Sequence, residues 1–129
     1  MILLAALAFL SPLEQANEAL IRNMFHDVSE SKNTAPMPRY FAPDFLLESN
    51  NARMGYEELK DHLESAFKAL DSIEVKFRDL IAKEDRIALR ATFVGTDSSG
   101  KPSETEFIAL FEIKEGKIAR WQELTYPAW

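Results

Sequence analysis

The chain has 129 residues, 47% hydrophobic and 28% charged, a globular composition long enough to bury one continuous core and too short for two. A net charge of -6 supplies no basic stripe for phosphates, which argues against nucleic acid and anionic membrane surfaces as partners. The absence of cysteine removes disulfides, thiolate nucleophiles and thiolate metal sites.

Met1 to Leu10 is an unbroken hydrophobic run, well short of the roughly 20 residues a membrane-spanning helix needs. It lacks the basic start of a signal peptide, although Ala6-Leu7-Ala8 has the small-residue character of a cleavage site. The sequence thus reads as a hydrophobic N-terminal extension (1–10) before one domain (11–129). The expected location is the cytoplasm, or outside it if Met1 to Ala8 is a signal remnant.

Ser11-Pro12-Leu13-Glu14 has the form of a capping box with proline at the first helical position. Leu13, Ala16, Leu20, Ile21, Met24, Phe25 and Val28 continue at helical spacing, predicting an amphipathic helix to about Val28. Ser29 to Pro38 reads as a loop, and Arg39-Tyr40-Phe41-Ala42 as a short helical turn that Pro43 ends. Phe45 to Ser49 reads as a first strand and Asn50 to Met54 as turn chemistry. Past Gly55, Leu59, Leu63, Ala66, Phe67 and Leu70 mark a second helix.

From Ser72 the period changes to two, with Ile73, Val75 and Phe77 alternating against Glu74, Lys76 and Arg78. Turns at Lys83-Glu84-Asp85, Asp97-Ser98-Ser99-Gly100 and Glu115-Gly116 then divide a run of hairpin-connected strands to about Tyr126. Helices followed by such strands predict an α+β fold, with the N-terminal helices on one face of a strongly curved antiparallel sheet. A small apolar pocket is expected where a straight helix cannot follow the curvature.

Several stretches together resemble the nuclear transport factor 2-like superfamily, and its SnoaL-like members in particular. They are Tyr40-Phe41-Ala42-Pro43-Asp44-Phe45, Gly55 opening the second helix, Asp79 to Arg90, and Gly116-Lys117-Ile118-Ala119-Arg120-Trp121. The resemblance spans roughly Leu13 to Thr125 and implies a cone-shaped helix-and-sheet barrel with a pocket, often dimeric through its sheet. Glu84 departs from the pattern, which usually has glycine in that turn. The superfamily holds isomerases, cyclases, dehydratases, epoxide hydrolases and proteins without chemistry, so the fold does not choose a reaction. By the same resemblance, Ser49 stands where steroid isomerases carry their aspartate base, Ala109 where they carry the oxyanion aspartate, and Leu20 or Ile21 near their tyrosine. Steroid-type isomerisation is therefore excluded.

Glu123 is the leading catalytic candidate. It shares a strand face with Trp121 and Thr125, and a carboxyl beside tryptophan in an apolar pocket has its pKa raised, as an acid or base requires. Should the register slip by one residue, Glu123 faces water instead. Ser49, Tyr40 and Thr92 are candidates to bring hydroxyls to it, and Leu47, Phe93, Phe107, Ala109, Trp121 and Thr125 are expected to line a ligand site. His26 and His62 stand apart without metal-ligand spacing, so neither metal nor cofactor is expected. On the outer face, Ile108, Leu110, Ile118, Leu124 and Tyr126 are expected to form an apolar patch that closes a two-fold homodimer, with Met1 to Leu10 a competitor for the same patch. The function expected is a pocket protein for a small hydrophobic molecule, with isomerase, cyclase and hydrolase chemistry left open; the alternative is a non-catalytic dimeric binding or adaptor domain.

Overall fold

The computed structural model describes residues 10–127, so the reading of Met1 to Leu10 as an extension lies, apart from Leu10, outside the described residues. The elements are α1 (Pro12–Met24), a π-helical turn (Phe25–Glu30), α2 (Met37–Tyr40), β1 (Phe41–Ser49), β2 (Ala52–Gly55), α3 (Tyr56–Ala69), β3 (Ser72–Lys83), β4 (Arg86–Thr96), β5 (Pro102–Lys114) and β6 (Lys117–Tyr126). The strands form one sheet in the order β2-β1-β6-β5-β4-β3, curled but not closed, with the helices on its concave side. This is the expected α+β architecture.

The capping box forms as read: Glu14 N–H donates to Ser11 Oγ, and Ser11 N–H to Glu14 Oε1. The helix does not run on to Val28 as an α-helix. It widens at Phe25 into a π-turn that buries Phe25, Val28 and Ser29. Such turns re-aim side chains, and this one aims Phe25 into the middle of the core. Its ring lies 5.9 Å from Phe77, 5.8 Å from Phe107, 6.3 Å from Phe111 and 5.5 Å from Trp121.

Two expectations about β1 are corrected. The strand starts at Phe41, not Phe45, so Phe41 and Ala42 are not in a helical turn. Pro43 is tolerated because the β1–β6 register shifts between Phe41 and Leu46, where no ladder donor is required. The sheet is also not wholly antiparallel. β2 takes one edge of β1, and the other meets β6, the last strand of the meander, which runs the same way.

Glu84 adopts φ +55°, the left-handed conformation that glycine favours, so the glutamate takes up the backbone geometry for which glycine is usual at this turn. α1 holds it there. Glu84 N–H donates to Glu14 Oε2 at 2.7 Å, and Asn17 Nδ2 donates to Glu84 O at 3.1 Å.

Two irregularities re-sort the strand faces. A bulge between Phe77 and Asp79 turns Leu80 and Ala82 inward and leaves Ile81 outside, 63% exposed. Another between Glu112 and Ile113 pairs Ile113 with Ile118, which is fully buried, so Ile118 does not belong to the outer patch. Ile108, Leu124 and Tyr126 do lie there, at 61%, 68% and 79% exposure, and Leu110 is half-buried beside them.

Candidate functional site

Strand register assembles the site in rows across the concave face. Glu123 pairs with Ser49 on one side and Ala109 on the other; Trp121 pairs with Leu47 and Phe111; Thr125 pairs with Phe107. Side chains two apart share a face, so Trp121, Glu123 and Thr125 all point inward. Leu47, Phe107, Ala109 and Trp121 are buried, while Phe93 and Thr125 are half-buried.

Ser49 Oγ donates to Glu123 Oε2 at 2.8 Å. Burial pushes the Glu123 pKa up, against the opposing pull of Ser49 and of the Trp121 indole N–H. The Trp121 indole N–H favours the charged carboxylate, yet Nε1 is buried without a hydrogen-bond partner of acceptable geometry. A largely desolvated carboxyl with a raised pKa can hold a proton nearer neutrality and act as either acid or base.

Asn50, read from sequence only as turn chemistry, latches this end of the sheet. Its Nδ2 donates to Thr125 Oγ1 at 2.9 Å, its Oδ1 accepts from Thr125 N–H at 3.2 Å, and its own N–H donates to Glu123 O at 3.2 Å. It has φ +51°, and asparagine is one of the few side chains at ease there. That tolerance was the signal available in the sequence.

The other hydroxyl candidates lie elsewhere. Tyr40 sits at the opposite end of β1 from Ser49, and its hydroxyl donates to Asp27 of the π-turn; burial and then Asp27 push its pKa up. Thr92 is buried but belongs to the outer face, where its Oγ1 accepts from Arg78 Nε at 3.2 Å and donates to Glu106. Placing Thr92 at the inner site is thereby corrected: it shares its face with Arg90, as alternation requires. His26 is exposed beside Glu30, and His62 on α3 has its pKa lowered by burial. Among the described residues no three His, Asp or Glu side chains gather as a metal would need.

Among the hollows that the described residues leave, one of about 190 Å³ is lined by Arg90, Glu106, Phe107, Ile108, Leu124, Thr125 and Tyr126, and another, of about 290 Å³, by Pro38, Phe41, Pro43, Tyr56, Glu57 and Lys117. Neither borders Glu123. No helix among the described residues is long and apolar enough to cross a membrane.

The family model for SnoaL-like polyketide cyclases matches residues 19–125. The chain belongs to this family. A SnoaL-like protein of Jannaschia sp. CCS1 has the same fold, with a TM-score of 0.76 at 18% identity over 91% of this chain and 90% of that one. An LEH-like epoxide hydrolase of M. tuberculosis matches with a TM-score of 0.75 at 15% identity, covering 88% of this chain and 85% of its own. In sequence, protein C11D3.04c of Schizosaccharomyces pombe is 21% identical over 115 residues, 88% of each chain. The SnoaL-like resemblance read from the sequence thus holds at the level of family and fold.

Proposed function

We propose that the chain takes a small, largely hydrophobic carbonyl compound at the inner face of the sheet and moves a proton on it without a cofactor, as a cyclase, isomerase or hydrolase of its family would. One observation carries this reading: the Glu123 carboxyl, its pKa raised by burial, sits between Ala109 and Ser49 on the inner face, next to the apolar row of Trp121, Leu47 and Phe111. Glu123 as carboxylate takes the proton from a carbon next to the carbonyl, leaving an enolate, and as carboxylic acid returns it to carbon or oxygen. Ser49 holds the carboxyl in place, and Ala109 is small enough to leave room against it. Leu47, Phe93, Phe107, Trp121 and Thr125 supply the surrounding wall; Tyr40, bonded to Asp27, has no part in the step.

The test is deuterium wash-in from D2O into a panel of aryl β-keto esters, followed by NMR. Glu123→Gln is expected to lower the rate by a factor of roughly 100 or more, in the usual range for a general base. Parent and Glu123→Gln rates that coincide sink the proposal.

A cytoplasmic homodimer completes the reading. The outer-face residues Ile81, Ile108, Leu124 and Tyr126 leave an apolar surface that a second copy would cover. Light scattering should give twice the chain mass for the parent and a monomer for Ile108→Glu. The reading from a different class is a non-catalytic dimeric binding domain, which the two hollows favour by lying away from Glu123. A dimer whose Glu123→Gln variant exchanges deuterium no more slowly than the parent decides for it.

A further inference from the structure

Trp121 Nε1 is the buried side-chain polar atom that finds no partner among the described residues. Buried donors are rarely left unpaired, so one that is calls for a physical account. The ring has little freedom to seek an acceptor, since its centroid lies 4.9 Å from Phe111, 5.5 Å from Phe25 and 6.5 Å from Phe41 in parallel stacking. The neighbour able to move is Glu123, two residues on and on the same face, with one carboxyl oxygen held by Ser49 at 2.8 Å. A protonated carboxyl spends one oxygen on its proton, whereas an ionised one accepts at both.

We propose that Trp121 is a positioning residue for Glu123: when the carboxyl ionises, it keeps Ser49 on one oxygen and turns the other to the Trp121 indole N–H. The base is then fixed by two donors in the state that removes a proton. Charge-assisted hydrogen bonds are shorter and stronger than neutral ones, which supplies the drive for the small rotation. The proposal rests on Glu123 being the proton-transfer group.

Among the described residues, the neighbouring strand carboxylates turn away from Glu123. Glu48 on β1 and Glu106 and Glu112 on β5 face the opposite side, where they meet Arg120, Thr92 and Arg86. Burial lowers the pKa of His62 on α3, and Tyr40 and Asp27 are bonded to each other. Burial acts most strongly on the Glu123 carboxyl, followed by Ser49 and Trp121.

The experiment follows the Trp121 indole 15N–1H signal and the Glu123 carboxyl 13C signal through a pH titration, in a Trp129→Phe background that leaves a single indole. The indole proton should move downfield with the midpoint of the carboxyl. A second variant carries 3-benzothienylalanine at position 121, which keeps the bicyclic shape and replaces N–H by sulfur. It should weaken Glu123 as an acid roughly tenfold, the usual worth of one hydrogen bond to a charged group. An indole signal that stays flat through the Glu123 titration overturns the proposal, as does an unchanged Glu123 midpoint in the sulfur variant. If both signals move together while Glu123→Gln keeps its full deuterium-exchange rate, the positioning stands and the proton-transfer reading of Glu123 falls.

Discussion

Replacing Phe25 by alanine tests whether the π-turn fills the barrel as its geometry implies. Phe25 is 2% exposed and meets four aromatic rings at centroid distances of 5.5 to 6.3 Å. Deleting a buried phenyl ring loses its transfer free energy and leaves a cavity, together about 3 to 5 kcal/mol. Unfolding entropy near 2.1 cal/mol/K per residue gives about 270 cal/mol/K for this length, so the midpoint should fall by roughly 15 °C. Against a typical total stability of about 5 to 15 kcal/mol, the variant should remain folded but weak. Urea unfolding at constant m-value and calorimetry would read both quantities. The cavity would be walled by Phe77, Phe107, Phe111 and Trp121; such apolar voids stay dry and accept small aromatic molecules. Benzene should therefore raise the midpoint of Phe25→Ala and not that of the parent. A loss below about 1 kcal/mol, with no benzene effect, would mean that the turn re-forms around the gap and that Phe25 is not the centre of the core.

Three further outcomes follow from the site and its supports. Glu123 has a folded pKa above its unfolded value, so its stabilising contribution is complete below the unfolded carboxyl range and is lost as pH rises through the folded pKa. Glu123→Gln cannot ionise, and should match the parent in acid but be the more stable protein at pH 7; calorimetry showing the parent gaining on the variant with rising pH would reverse the assignment. Asn17→Ala frees the Glu84 carbonyl from its buried donor and should cost about 1 to 2 kcal/mol in urea unfolding, because the α1 contact that holds the strained turn is halved. Asn50→Ala removes both bonds to Thr125 at a left-handed position, costing about 1 to 3 kcal/mol. It should also admit water to Glu123 and lower its carboxyl pKa, measured by 13C NMR; a pKa that stays put would show that Asn50 does not seal the site.

The parts of this fold that local chemistry dictates were legible in the sequence. Ser11 and Glu14 announce their capping box, Gly55 and the following stripe announce α3, and strict alternation announces β3 to β6. What escaped depends on single-residue insertions. The bulge after Phe77 exposes Ile81, and that after Glu112 buries Ile118, because one extra residue exchanges the two faces of a strand. The π-turn at Phe25 is likewise an insertion into a helical period, invisible to a count of i, i+3 and i+4 spacings. Within the candidate site the sequence pairs Glu123 with Ser49 or Tyr40 without choosing between them, because no local signal says which of these hydroxyls meets it; Ser49, 74 residues away, is the one that does. That depends on β1 and β6 pairing in parallel, a long-range choice of edge.

The same pairing puts the candidate carboxyl and the aromatic core at different ends of one face. The rows through Trp121 and Ile118 meet Phe41, Phe111 and Phe25, and that end is packed with aromatic rings. Two residues further along β6 the partners become Ala109, Ser49 and Asn50, which are small or polar, and there Ser49 satisfies one carboxyl oxygen while Asn50 bonds Thr125 beside it. A shift of one residue between β1 and β6 would send Glu123 to the outer face and leave Ser49 without its acceptor. Register in this sheet therefore does more than bury the core: it sets the dielectric around the one acidic group on which the function proposed for this protein depends.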